Sequence, residues 1–435
     1  MTTNRGPRTA ADGRELRLWR VGWALTVIFT AAILAAGSIF YSLIALLDFQ
    51  EIGTTAKLDA KTLFDLVKLS FGVVAGAGAL VALVVAYRRQ RVDEAGAHRE
   101  ATRLHTERFS QAVDKLGSDS PAVRLGGVHA LAGLADDAPD DNLRQTCIDV
   151  LCAYLRLPFP RDPGDLPDGS SLTEEQRSAH QTKQDLHRAL REVRHTVLRL
   201  IGDHYRIPQG TYRSWQGRDL DLTGVTIDGP MDFKGAVFSS GNVSFARAEI
   251  SSDLVTFNGA VFSGGNVSFS RASFSSGDVI FSNAEFSDGT VNFGGAMVSG
   301  GLITFNSARF SGGEVSMLSG RFTGGRVVFG GASFCGSRVI FGDVRFSGGT
   351  MVFGGAEFSG GVVTFYQATF SGGSVEFGDA SFSTAILDFD GATFSGGRMS
   401  LHATTGLVPT GLLAAVGTPV PSEIRLRADW LPAGP

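Results

Sequence analysis

The chain has 435 residues and a formal charge of −4, with 43% hydrophobic and 19% charged residues, 56 Gly and 32 Phe. The length predicts two to three domains, and the slight acidity excludes the broad basic field of a general nucleic-acid binder. Three Cys, an odd number, exclude a fully paired disulfide framework, and abundant Gly beside only 14 Pro fits neither collagen nor a Pro-rich disordered chain.

Residues 1–20 read as an Arg-bearing tail. Val21–Leu47 and Leu69–Tyr87 are two uncharged, largely apolar runs. About 20 apolar residues cross a bilayer, so residues 21–87 predict a transmembrane hairpin rather than a cleaved signal peptide. Arg5, Arg8, Arg14, Arg17 and Arg20 precede the first run, and Arg88, Arg89 and Arg91 follow the second. This asymmetry predicts a multi-pass inner (plasma) membrane protein with both termini cytoplasmic and bilayer lipid as one partner. Gly72 and Gly76, with Ala75 and Ala79, are spaced for close helix packing inside the hairpin.

Residues 88–156 predict a cytoplasmic helical connector. Its first helix is solvated until Phe109, Val113 and Leu116, with His98 and His105 on the solvated face. Ser120 before Pro121 marks the start of a second helix and Asp141 a third, a short pair of which VRLGGVHALAGLA looks HEAT-like. Cys147 and Cys152 lack a metal-ligand pattern and read as packing thiols. Residues 157–172 form a Pro-rich linker. Residues 173–203 predict a further helix, capped by Thr173, with Leu186, Leu190, Val193, Val197 and Leu200 on its apolar stripe. Arg188, Arg191, Arg194, His187 and His195 are expected on a solvated face.

From Ala236 the pattern A-x-F-S-G-G-x-V-x-F-x-x recurs without insertion through fourteen units, to residue 403. Its two aromatic slots hold most of the 32 Phe, with Ile250, Val298, Met317 and Leu401 as substitutes. In V-x-F, Val243 and Phe245 fall on one side of a strand, while S-G-G supplies residues tolerant of positive φ at a turn. No unit can bury its own Phe, but stacked units can, in a continuous aromatic column. This predicts a solenoid with an opening coil, over residues 204–403, and a C-terminal cap at 404–435.

The A-x-F step, with a small Ala two before the first-slot Phe, and the step of five from Phe245 to Ile250 resemble the pentapeptide-repeat family. DLTGVTI (221–227), with Leu222 and Ile227 five apart, is similar to a more typical coil of that family. The order of two spans, a helical segment and repeats resembles its bacterial membrane-anchored members. The resemblance implies a right-handed four-sided β-helix with two of these units per coil. Alternate spacings here are seven rather than five. The expected fold class is therefore mixed: two transmembrane helices, an α-helical cytoplasmic connector and a C-terminal right-handed β-helix.

The repeats contain no phosphate-loop lysine, no H-E-x-x-H and no G-x-S-x-G, so no catalytic, cofactor or metal residue is assigned and the chain is expected not to be an enzyme. Soluble pentapeptide-repeat proteins that imitate DNA and bind topoisomerases imply an alternative. Residues 236–403, however, carry acidic residues only slightly in excess of Arg, scattered along the repeats. Nucleic acid is not expected as a partner. The reading is a membrane-anchored scaffold for protein–protein interaction on the cytoplasmic face, its partner an unidentified protein or a second copy of the chain. With two units per coil, outward residues two units apart form ladders. The ladder Thr256, Ile280, Thr304, Val328 and Val352, with Leu254 and Leu302 beside it, is the candidate interaction face because it carries the more apolar surface.

Overall fold

The computed structural model describes residues 60–166, 173–251 and 254–431, with isolated positions between 26 and 42. The chain divides into two compact units, residues 1–101 and 102–435. Helix α1 runs from Ala60 to Leu116, α2 from Pro121 to Asp136, α3 from Asp141 to Arg156 and α4 from Glu174 to Arg206.

The membrane expectation is corrected. No helix of the described residues is long and apolar enough to cross a membrane, so neither the two transmembrane helices nor the multi-pass inner-membrane localisation stands. Leu69–Tyr87 is not a separate span. It is the middle of α1, which begins among Lys61, Asp65 and Lys68 and continues without a break through Arg88, Arg89, Arg91 and Asp93. The close helix packing expected at Gly72 and Gly76 has no counterpart among the described residues, since a Cβ placed at either meets no atom within 4 Å. Residues 1–20 and most of 21–47 lie outside the described residues, as do 167–172 of the Pro-rich linker.

The capping signals hold in part: the Ser120 side chain makes no capping bond, and the cap of α3 is Asp140 rather than Asp141. Pro121 opens α2, the Asp140 carboxylate accepts from the Leu143 N–H ahead of α3, and Thr173 and Gln176 form a reciprocal capping box at α4. Helices α2, α3 and the C-terminal half of α4 bury Leu131, Ile148, Leu151, Val197 and Ile201 in one core. Cys147 and Cys152 are buried there, and burial pushes both thiols up to about 12. His105 is not solvated: it is buried with its Nε2 3.8 Å from the Cys147 sulfur, and this burial pushes its pKa down.

Residues 220–425 form a parallel β-solenoid of about eight turns, consistent with a pentapeptide-repeat fold. Ladder partners through the repeats lie two units apart in the chain, as Val279 with Ile303 and Val339 with Val363. Successive units alternate between two sheets of 12 and 15 strands. Both halves of a unit belong to one sheet, because S-G-G sits inside the strand stretch as a bulge: Val261–Ser268 and Glu357–Thr364 run through it unbroken. The enlarged spacing of seven is thus a bulged strand, and the chain turns at the F-x-x-A corners. There the Ala N–H donates to the Phe carbonyl, as from Ala272 to Phe269 at 3.0 Å, and the third residue adopts positive φ.

The aromatic core is four columns rather than one. Phe233, Phe257, Phe281, Phe305, Phe329, Phe353 and Phe377 stack face to face at 4.7–4.9 Å, one ring per coil. Phe238 to Phe382, Phe245 to Phe389 and Ile250 to Phe394 form the others; the Phe233 and Phe245 columns meet edge to face, as Phe257 and Phe269 do at 87°, and the other neighbours mostly meet tilted, as Phe257 and Phe262 do at 46°. The column spacing matches the strand repeat, so each ring stacks at the distance its backbone imposes.

Candidate interaction surface

The helical part closes the N-terminal end of the solenoid through apolar packing, with Tyr205 against Phe233 and Phe238, and through charge. Arg206 reaches Asp232 at 2.6 Å, Arg218 reaches Asp141 at 2.8 Å, and Arg156 pairs with Asp221. Much of the expected solvated face of α4 is instead docked on the first coil, while Arg188 is exposed as expected. Arg194 is buried, donating to the Leu155 and Thr226 carbonyls with its guanidinium over the Phe159 ring, and His187 is buried against the same ring. Arg191 and His195 converge on Asp228. Burial opposes the charge on Asp228, yet these two partners hold its carboxyl far below the usual range. A helix of alternating cations reads as solvated until the acids it meets, well downstream in the chain, are placed.

Asp136 at the end of α2 is a second hub. It accepts from His204 at 3.2 Å, Arg213 at 3.0 Å and the Trp215 indole N–H at 3.3 Å, while the His204 ring stacks on Trp215 at 4.2 Å. Burial works against its charge, but the bonds from His204, Arg213 and Trp215 hold its pKa down. Both hubs tie helices to the opening coil.

The candidate ladder is brought together in register: Thr256, Ile280, Thr304, Val328 and Val352 are successive partners in the second sheet, and Leu254 and Leu302 flank Asp278 in the next ladder of the same strands. Its exposure is lower than the outward assignment implies. Leu254 is exposed, and Thr256, Ile280, Leu302 and Val352 are half-buried. Thr304 and Val328 are buried, at 4% and 9% exposure. β-Branched side chains one strand spacing apart cover one another, and the centre of the ladder is covered from both sides. The companion ladder in the first sheet, Ser244, Ser268, Asn292, Ser316, Ile340, Thr364 and Asp388, is also in register.

Among the described residues no group of His, Cys, Asp and Glu is arranged to hold a metal ion. Compared with known proteins, the chain matches no family model, no curated protein and no solved structure. Its likeness to pentapeptide-repeat proteins rests on the coil itself: small Ala and Phe inward, tight corners and parallel stacking.

Sequence reasoning missed the corner between the sheets. Leu318 and Tyr366 are each 45% exposed there, beside the stacked Arg321 and Arg345. Their signal lay in the sequence, since writing the residues that follow and precede each Phe as ladders two units apart places all four on three neighbouring coils.

Proposed function

We propose that this chain is a non-catalytic β-solenoid scaffold for protein–protein interaction. The observation that carries the reading is the in-register alignment of outward residues, coil upon coil, over a rigid, ring-stacked core. Such an alignment gives a partner a continuous surface whose side chains keep one spacing along several coils. The part of the candidate face open to a partner is exposed Leu254 with half-buried Thr256, Ile280, Leu302 and Val352. DNA mimicry is not favoured, because the first coil's Asp221, Asp228 and Asp232 are taken by Arg156, Arg191 and Arg206.

The test is quantitative crosslinking mass spectrometry of the full chain against a variant carrying Leu254→Lys, Ile280→Lys and Leu302→Lys. The variant is expected to melt as the parent does and to lose crosslinks to a defined set of proteins. A folded variant that keeps every parental crosslink would remove this face from the reading. A parent that crosslinks to nothing, itself included, would remove the scaffold.

A further inference from the structure

The corner leading from the first sheet into the second carries an uncompensated like-charge pair. Arg321 and Arg345 are direct ladder partners, followed by Thr369, and both are exposed. With Ser319, Asp343, Gln367 and Thr369 they line an open cavity of about 360 Å³. Neither arginine makes an ion pair among the described residues. Like charges directly opposite in a sheet are destabilising, and Asp343 can offset one of them at most. The equivalent position on the other corner is built differently: there Glu285 is the direct partner of Arg309, so opposite charges meet.

An apolar shelf adjoins the arginines on the same three coils. Leu318 and Tyr366 stand on either side of Gly342. A Cβ at Gly342 would lie 3.1 Å from Leu318 Cδ1 and 3.6 Å from Ile340 Cγ2, so the Leu318 side chain lies across buried Gly342 toward Tyr366 and the apolar surface runs between the two. Two cationic forks and an aliphatic–aromatic shelf side by side match a chain bearing carboxylates next to an apolar side chain. A nucleic-acid backbone is a poorer match, since only two cations line the cavity against its continuous run of phosphates and the apolar shelf beside them has no backbone group to pair with.

We propose that this corner docks an acidic peptide segment of a protein partner, its carboxylates on Arg321 and Arg345 and an apolar side chain on the Leu318–Gly342–Tyr366 shelf. The proposal rests on the scaffold reading but uses a different surface from the Leu254–Leu302 face, so the two fail separately. The test is fluorescence anisotropy of the purified full chain with a short labelled peptide of alternating Glu and Leu, at physiological salt. The parent is expected to bind it. Both R321Q/R345Q and L318S/Y366S are expected to weaken binding about tenfold, with L318S/Y366S melting like the parent and R321Q/R345Q melting no lower than it. A polyglutamate peptide of equal length is expected to bind about tenfold more weakly than the Glu/Leu peptide. If R321Q/R345Q does not fold, R345Q alone takes its place and is expected to weaken binding about threefold. No binding by the parent, undiminished binding by either folded variant, polyglutamate binding as tightly as the mixed peptide, or oligothymidylate competing as well as the peptide would each overturn the proposal.

Discussion

At the scale of the residue, the two glycines of S-G-G have different duties. A Cβ on either would collide with the backbone of the preceding coil, on Gly312 with the Ser287 carbonyl oxygen and on Gly313 with that of Gly289, but Gly313 alone takes a positive φ, of +68°. Gly312→Ala is therefore expected to cost about 2 kcal/mol or more, because two backbones must separate, and a chemical denaturation curve would show it. The corner residue Ser307 holds φ of +56° at a slot that is Gly in other units. Ser307→Gly is expected to stabilise by about 1 kcal/mol in the same measurement, by relieving a left-handed backbone. Core polarity gives a third case. Phe329→Asp replaces a ring stacked at 4.7 and 4.9 Å by an unpaired carboxylate and should disrupt the solenoid locally, at more than the roughly 3–5 kcal/mol typical of Phe→Ala. Val328→Asp, mild if Val328 were simply outward, is now expected to be costly as well, since Val328 is 9% exposed between Thr304 and Val352.

At the scale of the element, the junction between helices and first coil combines an apolar core with ion pairs, and the ionic part depends on acid. Asp136 and Asp228 are both held below their ordinary values in the folded chain. A carboxylate depressed on folding contributes stability above its unfolded value, about 3.9, and that contribution is lost as pH falls through this value toward the folded one. The melting temperature is expected to drop between about pH 5 and pH 3, and Asp136→Asn should lower it at about pH 7 while flattening that dependence, read by circular dichroism melts across the range. This junction was the part of the molecule least legible in the sequence. The repeat period, the inward slots and both ladders follow from spacing alone, because a strand's period of two and a coil of two units leave no freedom. The docked face of α4 does not, since Arg191 and Arg194 take meaning only from Asp228 and the Thr226 carbonyl, which chain folding brings to them. The buried centre of the Thr256–Val352 ladder was hidden for a related reason: alternation says which way a side chain points, not how far its neighbours cover it. The second membrane span, Leu69–Tyr87, was misread because an apolar run was taken as a bounded element, whereas α1 carries it on into charged helix.

At the scale of the whole molecule, stability is expected to follow nearest-neighbour stacking, coil by coil. Deleting positions 349 to 372, two whole units, joins equivalent places in the repeat, so the shortened chain should fold, with a melting temperature lowered by only a few degrees in calorimetry. Deleting only 349 to 360 should also fold, since both sheets use one consensus. The surfaces, however, would behave differently in the two cases, because successive units lie on alternate sheets. A chain shortened by an even number of units keeps every ladder in line, while an odd number turns everything beyond the joint by half a revolution. The repeat therefore carries a parity. Gain or loss of a single unit leaves the core indifferent but exchanges front and back downstream, so a lineage that grows by single duplications can carry a patch from one flank of the rod to the other without altering a residue within it.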